Sequence, residues 1–280
     1  MNNSSPYGKS GRSLAASHQR SWLWGRHAIM EMLAAGRWPV MELLVDENQS
    51  GPAFDEFYEL IRASELTYSR VSARRLTELC KSEDHQGFLA QMSEFPCGTL
   101  NDLQQALQNP PMEAKPGETE PSTPNLMPLY VICDRLQDAH NFGAILRSCD
   151  AMRVDGIVIG EKSQASITPH VARASSGAVN HLTIYRVPSL SEAVTLLKSH
   201  QVKMLAATEK SDLALWQAET RSPLAVVIGS EALGIAPELL AECDSQVAIP
   251  MLGGVASLNA AVAAGIVLYE CRRQQLISPA

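Results

Sequence analysis

Apolar positions follow one pattern between residues 26 and 92 and another from residue 129 onward. In the first stretch, helical spacing alternates with short strand-like runs. Arg26–Ala35 carries Ile29, Met30 and Leu33 at helical spacing, and Gly36 is a natural stop. Met41–Val45 then reads as a strand, Phe54–Ala63 as a helix, Tyr68–Val71 as a strand, Ala73–Cys80 as a helix and Phe88–Met92 as a strand. This predicts a small α/β unit. The second stretch holds six continuous apolar runs: Leu129–Cys133, Gly156–Ile159, Leu182–Val187, Met204–Ala207, Leu224–Ile228 and Gln246–Ile249. Helical patterns lie between most of them, and another follows the last. Such runs predict a parallel sheet covered on both faces. Ligands of such sheets bind beyond the carboxyl ends of the strands.

The two patterned regions are joined by residues 97–128, CGTLNDLQQALQNPPMEAKPGETEPSTPNLMP, with six prolines, four acids and one lysine. Leu100–Leu107 predicts a short helix, and the rest an extended acidic linker. Residues 1–20 are rich in Ser, Asn and Gly and read as a disordered basic arm. The expected organisation is therefore an arm (1–20), a first domain (21–96), a linker (97–128) and a second domain (129–280). No apolar run approaches the roughly 18–20 residues of a membrane helix. The N-terminal MNNSSPYGKSGRS has no apolar core for a signal peptide. The expected location is the cytoplasm, with no membrane partner.

With 280 residues, 45% apolar and 19% charged, the chain has material for one large domain or two of ordinary size. The net charge of −7, from 23 Lys+Arg against 30 Asp+Glu, gives no overall attraction to nucleic acid. Any such binding must use local patches. Residues 1–30 hold Lys9, Arg12, Arg20, Arg26, His18 and His27 with no acid before Glu31; the ordinary reading is a passive solvated arm. Arg70, Arg74 and Arg75 cluster as well, which alone is weak evidence for RNA. The six cysteines form no C-x-x-C pair, which argues against structural zinc and a disulfide framework. Buried packing thiols are expected ahead of a nucleophile. Seven histidines include no H-E-x-x-H, and no metal is expected. There is no G-x-G-x-x-G, and GIVIGEKS (156–163) misses the P-loop pattern, which disfavours a dinucleotide oxidoreductase and a P-loop NTPase.

Three segments just after strands carry the chemistry. In DRLQDAHNFGAILRSCDAM (134–152), Asn141 is a candidate helix cap, and Phe142, Ile145, Leu146 and Cys149 form the buried face. Gly143 and Arg147 share another face, the glycine leaving room beside the guanidinium; the ordinary reading makes Arg147 a surface partner of Asp150. In VVIGSEALGI (226–235), Gly229 allows a sharp turn, Ser230 and Glu231 point polar groups outward, and Gly234 can take positive φ. In IPMLGGVASLNAAVAAGIVLYE (249–270), Ser257 and Asn259 are candidate caps of a helix with Leu258, Val262, Ile266 and Tyr269 on one face. Ala260, Ala261, Ala263, Ala264 and Gly265 make the rest of that helix small, suited to a tight core or a subunit contact.

In this order the three segments resemble the SpoU (TrmH) family of S-adenosylmethionine-dependent RNA ribose 2′-O-methyltransferases in the SPOUT superfamily. The likeness rests on N-x-G-x-x-x-R at Asn141, Gly143 and Arg147, on G-x-E-x-x-G at Gly229, Glu231 and Gly234, and on I-P-M…S-L-N from Ile249 to Asn259. GRHAIMEML from Gly25 and HQGF at His85–Phe88 are similar to the RNA-binding substrate domain of the RlmB-like branch. Ala139, Ala232 and Ala261 stand where many relatives carry proline, glycine and valine.

The resemblance implies a small N-terminal α/β RNA-binding domain and a C-terminal parallel-sheet SPOUT domain with a trefoil knot, a topology periodicity could not predict. It also implies a homodimer with the active site at the interface. The implied reaction is in-line attack of an RNA 2′-hydroxyl on the sulfonium methyl of S-adenosyl-L-methionine. Backbone around Gly229, Ile249 and Leu258, with Thr208 nearby, would cradle the cofactor; Asn141, Arg147, Glu231, Ser257 and Asn259 would form the polar centre. The family assigns Arg147 as base. Arginine stays protonated at neutral pH, so phosphate binding and charge stabilisation are the alternative role. Ribosomal RNA of the 23S type is the preferred substrate and transfer RNA the alternative. The rival classes are a non-catalytic RNA-binding knot protein and a base methyltransferase of the wider superfamily.

Overall fold

A computed structural model describes residues 22–109 and 126–277. The arm over 1–20 and the acidic part of the linker over 110–125 lie outside the described residues. The chain divides into two compact units, the first holding residues up to Pro96 plus Ile167–Asn180, the second Cys97–Ser166 and His181 onward.

The first unit contains β1 (Trp22–Trp24), α1 (Arg26–Ala35), β2 (Val40–Asp46), α2 (Pro52–Ala63), β3 (Ser69–Val71), α3 (Ala73–Cys80) and β4 (Phe88–Met92). Its sheet order is β1-β4-β2-β3, with β2 and β3 parallel and the other pairs antiparallel. Gly36 ends α1 with φ 61°, the left-handed conformation expected of it. The HQGF segment is a tight turn. His85 Nδ1 accepts the Gly87 N–H at 3.0 Å and its Nε2 lies 3.1 Å from Thr77 Oγ1, so the ring carries its proton on Nε2 and donates to the threonine.

Two elements of this unit lack a clear sequence pattern. The three-residue β1 is too short to show a period. The helix α6 (Pro169–Ala174), numbered below in chain order, comes from far along the chain. It buries Val171 and Ala172, and the Arg173 guanidinium stacks 4.2 Å over the Trp24 ring. Arg37 Nη1 donates to the Asn180 carbonyl at 3.3 Å. These tertiary contacts group 167–180, expected within 129–280, with the first unit.

The second unit contains α4 (Leu100–Gln108), β5 (Leu129–Asp134), α5 (Ala139–Ala151), β6 (Gly156–Gly160), β7 (Ile184–Val187), α7 (Leu190–Ser199), β8 (Lys203–Ala207), β9 (Leu224–Gly229), α8 (Pro237–Ala241), β10 (Ser245–Val247) and α9 (Ala260–Leu276). Its strands run in the order β10-β8-β9-β5-β6-β7, every pair parallel. All six strands expected from the apolar runs are present. One face of the sheet, through Tyr130, Ile132, Val158 and Val227, packs on Leu103 of α4, Val194 and Leu197 of α7 and Leu239 of α8. Side chains alternate along a strand, so Val131, Cys133, Ile157, Val226 and Ile228 point to the other face. Residues 97–108, expected to open the linker, are thus integral to this unit. Thr99 and Asp102 form a capping box at the start of α4, and the Gly98 backbone bridges Tyr185.

The helix α9 packs on α5 closely enough that a Cβ on Gly265 would meet Ser148 Oγ at 3.5 Å. Its buried side is Ala261, Ala264, Val267, Leu268 and Cys271, whereas Val262, Ile266 and Tyr269 are exposed. Arg272, 4% exposed, donates to the Met127 and Met152 carbonyls at 2.7 Å each, and also to the carbonyl of Arg153. One guanidinium thus satisfies carbonyls at the end of α5 and before β5. Arg272→Ala leaves them without a donor inside the fold and is expected to destabilise the protein by about 2–4 kcal/mol, measured by urea unfolding at pH 7. A change below 0.5 kcal/mol would contradict this role.

Candidate active site

The segments after β5, β9 and β10 meet. Asn141 Nδ2 donates to Glu231 Oε1 at 2.5 Å, and Asn259 Nδ2 donates to Asn141 Oδ1 at 2.9 Å. Asn259 Oδ1 in turn accepts the backbone N–H groups of Ala261 and Val262 at 2.9 and 3.4 Å. An ionised carboxylate can only accept, so Glu231 orients the Asn141 amide, which orients the next. The chain of bonds runs in one direction, from the positive end of the α9 dipole to the carboxylate.

One expected cap is revised and one, Asn259, is present. Asn141 does not cap α5; Asp138 does, its Oδ1 accepting the Asn141 N–H at 2.8 Å. The helix begins at Ala139, which puts Asn141 in its first turn with the side chain available for the cross-loop bonds. At α9 the cap is Asn259, and Leu258 lies outside the helix rather than on its face.

A cavity of about 680 Å³ opens beyond β8, β9 and β10, in the size range of small-molecule sites. Thr208, Gly229, Glu231, Ile249, Ser257, Leu258 and Asn259 all line it. Asn141 joins them through its hydrogen bonds. Arg147 does not line the cavity; it is exposed on α5, six residues or about 9 Å of helix rise beyond Asn141. Ser230, expected to point a polar group out of its turn, lines the cavity, and Glu209 and Lys210 do so without having been singled out. Their signal was positional, because each follows the carboxyl end of a parallel strand.

Gly229 is needed for close approach rather than for φ. A Cβ there would lie 2.3 Å from the carbonyl carbon of Gly234 and 2.4 Å from the Ile235 nitrogen, so the loop folds directly onto it. Gly234 does take positive φ, at 65°. The Gly234 N–H bonds the Ser230 carbonyl at 2.8 Å and closes the turn.

The residues fit S-adenosylmethionine, the donor implied by resemblance. Ile228, Val247, Ile249 and Leu258 supply an apolar wall for an adenine ring. The carboxylates of Glu209 and Glu231 outnumber the one ammonium of Lys210, which suits a ligand of net positive charge. Among the described residues no group of His, Cys, Asp and Glu is placed to hold a metal ion, and no helix is long and apolar enough to cross a membrane.

The basic cluster of the first unit is engaged locally. Arg70 donates to the Glu47 carbonyl at 2.8 Å and stacks 4.4 Å over Phe54, while Arg74 and Arg75 pair with Glu78. The thiols are packing groups. Burial pushes Cys133 and Cys271 up to about 12 and holds Cys149 well above its ordinary value.

Residues 128–269 match the SpoU rRNA methylase family, and residues 22–96 match a family described as RNA 2′-O ribose methyltransferase substrate binding. YacO of Bacillus subtilis (strain 168), assigned to the TrmH family of tRNA/rRNA methyltransferases, is 30% identical over 92% of this chain and 98% of its own. A crystal structure of an RNA 2′-O ribose methyltransferase is 28% identical with a TM-score of 0.68, covering 95% of this chain and 93% of that one. The SpoU methyltransferase AviRb of Streptomyces viridochromogenes, solved with AdoMet, has the same fold at 23% identity and a TM-score of 0.73, covering 96% of this chain and 100% of its own. This chain belongs to the SpoU methylase family. It carries that family's catalytic region and, ahead of it, the substrate-binding one.

Two outcomes follow from the geometry. Gly229→Ala forces the 230–235 backbone away and is expected to weaken S-adenosylmethionine binding at least about tenfold in calorimetry; unchanged affinity would refute the close-approach reading. At pH 8 a thiol with a pKa near 12 is ionised in roughly one molecule in ten thousand. Iodoacetamide at that pH should leave Cys133, Cys149 and Cys271 unmodified in the folded protein and alkylate them in denaturant, as peptide mapping would show. Below the ordinary thiol pKa these groups are neutral whether folded or unfolded. Their burial therefore lowers stability only as pH rises from about 9 toward 12.

Proposed function

We propose that this chain methylates a ribose 2′-hydroxyl in structured RNA, with S-adenosylmethionine as donor and ribosomal RNA of the 23S type as substrate ahead of transfer RNA. The observation that carries this reading is the Glu231–Asn141–Asn259 hydrogen-bond chain at the lip of the cavity. The substrate-binding match over 22–96 and the 2′-O activity named for a 28% identical structure support it.

When bound, S-adenosylmethionine supplies a methyl group already activated on its sulfonium, so the protein's task is alignment and management of one proton. Backbone at Gly229, Ile249 and Leu258, with the Thr208 side chain, holds the donor. Asn141 fixes one oxygen of Glu231 and leaves the carboxylate a second oxygen for a hydroxyl or ammonium partner. Ser257 and Asn259 complete the polar centre. Arg147 binds the phosphate beside the target ribose and stabilises charge developing on the 2′-oxygen.

This reading includes the trefoil knot and a homodimer with the active site at the interface. The exposed apolar stripe Val262, Ile266 and Tyr269 on α9, 52%, 39% and 58% accessible, supports the dimer. The cytoplasm, a reducing compartment, suits six cysteines of which none is in a disulfide.

Mapping 2′-O-methyl sites in ribosomal and transfer RNA from a deletion strain identifies the substrate. With that RNA, Arg147→Ala is expected to lose turnover by at least about a hundredfold while retaining donor affinity. A 2′-deoxy target nucleotide should accept no methyl group. Transfer to the deoxy substrate would redirect the reading to base methylation, and absence of donor binding would favour a non-catalytic RNA-binding protein.

A further inference from the structure

The loop bearing Glu231 is held at its tip by Asn141, but its foot is held by two residues that do not line the cavity. Asp134 is the last residue of β5, paired in register with Gly229, the last of β9. Its carboxylate is 3% exposed. Oδ2 accepts the Ala236 N–H at 2.7 Å, and the two oxygens receive Nε and Nη2 of Arg135 at 3.0 Å each. The same Arg135 Nη2 reaches the Gly234 carbonyl at 3.3 Å.

Arg135 makes these bonds from a left-handed backbone, φ 58°. A glycine or asparagine adopts that conformation more cheaply. In an arginine, the backward bend returns the guanidinium to the carboxylate of its own neighbour and to the loop opposite. A buried carboxylate with a bidentate guanidinium is costly to leave half-satisfied, so the two groups hold each other and the loop together. Gly234 and Ala236 flank Ile235, whose nitrogen already presses against Gly229. Two bonds at the foot and one at the tip thus fix both ends of the segment that forms one wall of the cavity.

We propose that Asp134 and Arg135 form a latch holding the 230–236 loop in its donor-binding shape, as positioning residues that act through the loop. The proposal rests on the methyl-transfer reading above. Its test is calorimetric titration of the full chain with S-adenosylmethionine alone, beside thermal unfolding without ligand. Arg135→Ala leaves the buried Asp134 carboxylate half-satisfied and lowers the ligand-free unfolding midpoint; titrated well below that midpoint, it is expected to weaken binding about ten- to a hundredfold. Arg135→Lys, which keeps the charge but not the fork, should recover part of the loss. Ala236→Pro replaces the N–H that Asp134 accepts with a ring carbon that pushes the carboxylate away, at a φ of −58° that proline shares, and should weaken binding independently of Arg135.

Donor affinity within twofold of the parent in both Arg135→Ala and Ala236→Pro would overturn the latch. So would a loss that merely tracks the unfolding midpoint and is not relieved by lysine. If Arg135→Ala does not fold, Ala236→Pro decides by the same criterion; if neither folds, the pair is a stability element and the positioning role is wrong. A parent protein that binds no donor would overturn the functional reading itself, an outcome distinct from a parent that binds and variants that bind equally.

Discussion

The carboxylate of Glu231 holds three parts of the chain in register through two amides. Asn141 lies 90 residues from Glu231 and 118 from Asn259. Contacts so distant in sequence carry a large ordering cost, which a pair of surface hydrogen bonds cannot offset alone. The sheet carries most of it. β5 and β9 are adjacent and parallel, with Asp134 opposite Gly229, so their carboxyl ends are side by side before any loop contact forms. The third partner is delivered by α9, whose first turn supplies the amides that seat Asn259 and whose buried side packs on α5, the helix bearing Asn141. The hydrogen bonds then select among loop conformations that the sheet and helices have already brought close.

That division of labour explains what could be read from the chain beforehand. Strands buried on both faces are continuous apolar runs, so the parallel sheet was visible in VICD, GIVIG and LAVVIG. Residues placed by strand ends were visible for the same reason, which is why Thr208, Gly229 and Glu231 line one cavity. Asn141 was misread as a cap because Asp138 and Asn141 are both good capping residues, and local sequence does not say which one a tertiary partner will claim. The small residues of α9, expected to suit either a tight core or a subunit contact, went to the core. Val262, Ile266 and Tyr269 have the spacing of a buried stripe, yet the core takes Ala261, Ala264 and Val267. Close packing on α5 needs small residues, and periodicity ranks large apolar ones first. The placement of 167–180 in the first unit could not be read at all, because Arg173 over Trp24 is a contact between residues 149 positions apart.

Charge at the site follows burial more than net composition. The chain is acidic by seven units, and its obvious basic cluster is spent on Glu78 and on the Glu47 and Gln49 carbonyls. Arg272 is likewise consumed inside the fold. Arg135 is bound to Asp134 and Gly234. Arg70, Arg135 and Arg272 sit on carbonyls or carboxylates that fix a turn or a helix end, so a count of arginines overstates the charge available to a polyanion.

Arg147 shares its helix with Asn141. It is exposed on α5, while the polar residues that resemble its family partners line the cavity at the far end of the same helix pair. The other exposed feature of that pair is the apolar stripe of α9. A surface that buried Val262, Ile266 and Tyr269 would gain roughly 25 cal/mol for each Å² of apolar area removed from water. It would also lower the dielectric around any nearby guanidinium, which strengthens its pull on a phosphate or a developing oxyanion. In the homodimer proposed above, covering the stripe and completing the polar centre would be coupled demands on one surface. The small side of α9 lets it approach α5 closely, and its large apolar residues stay outside.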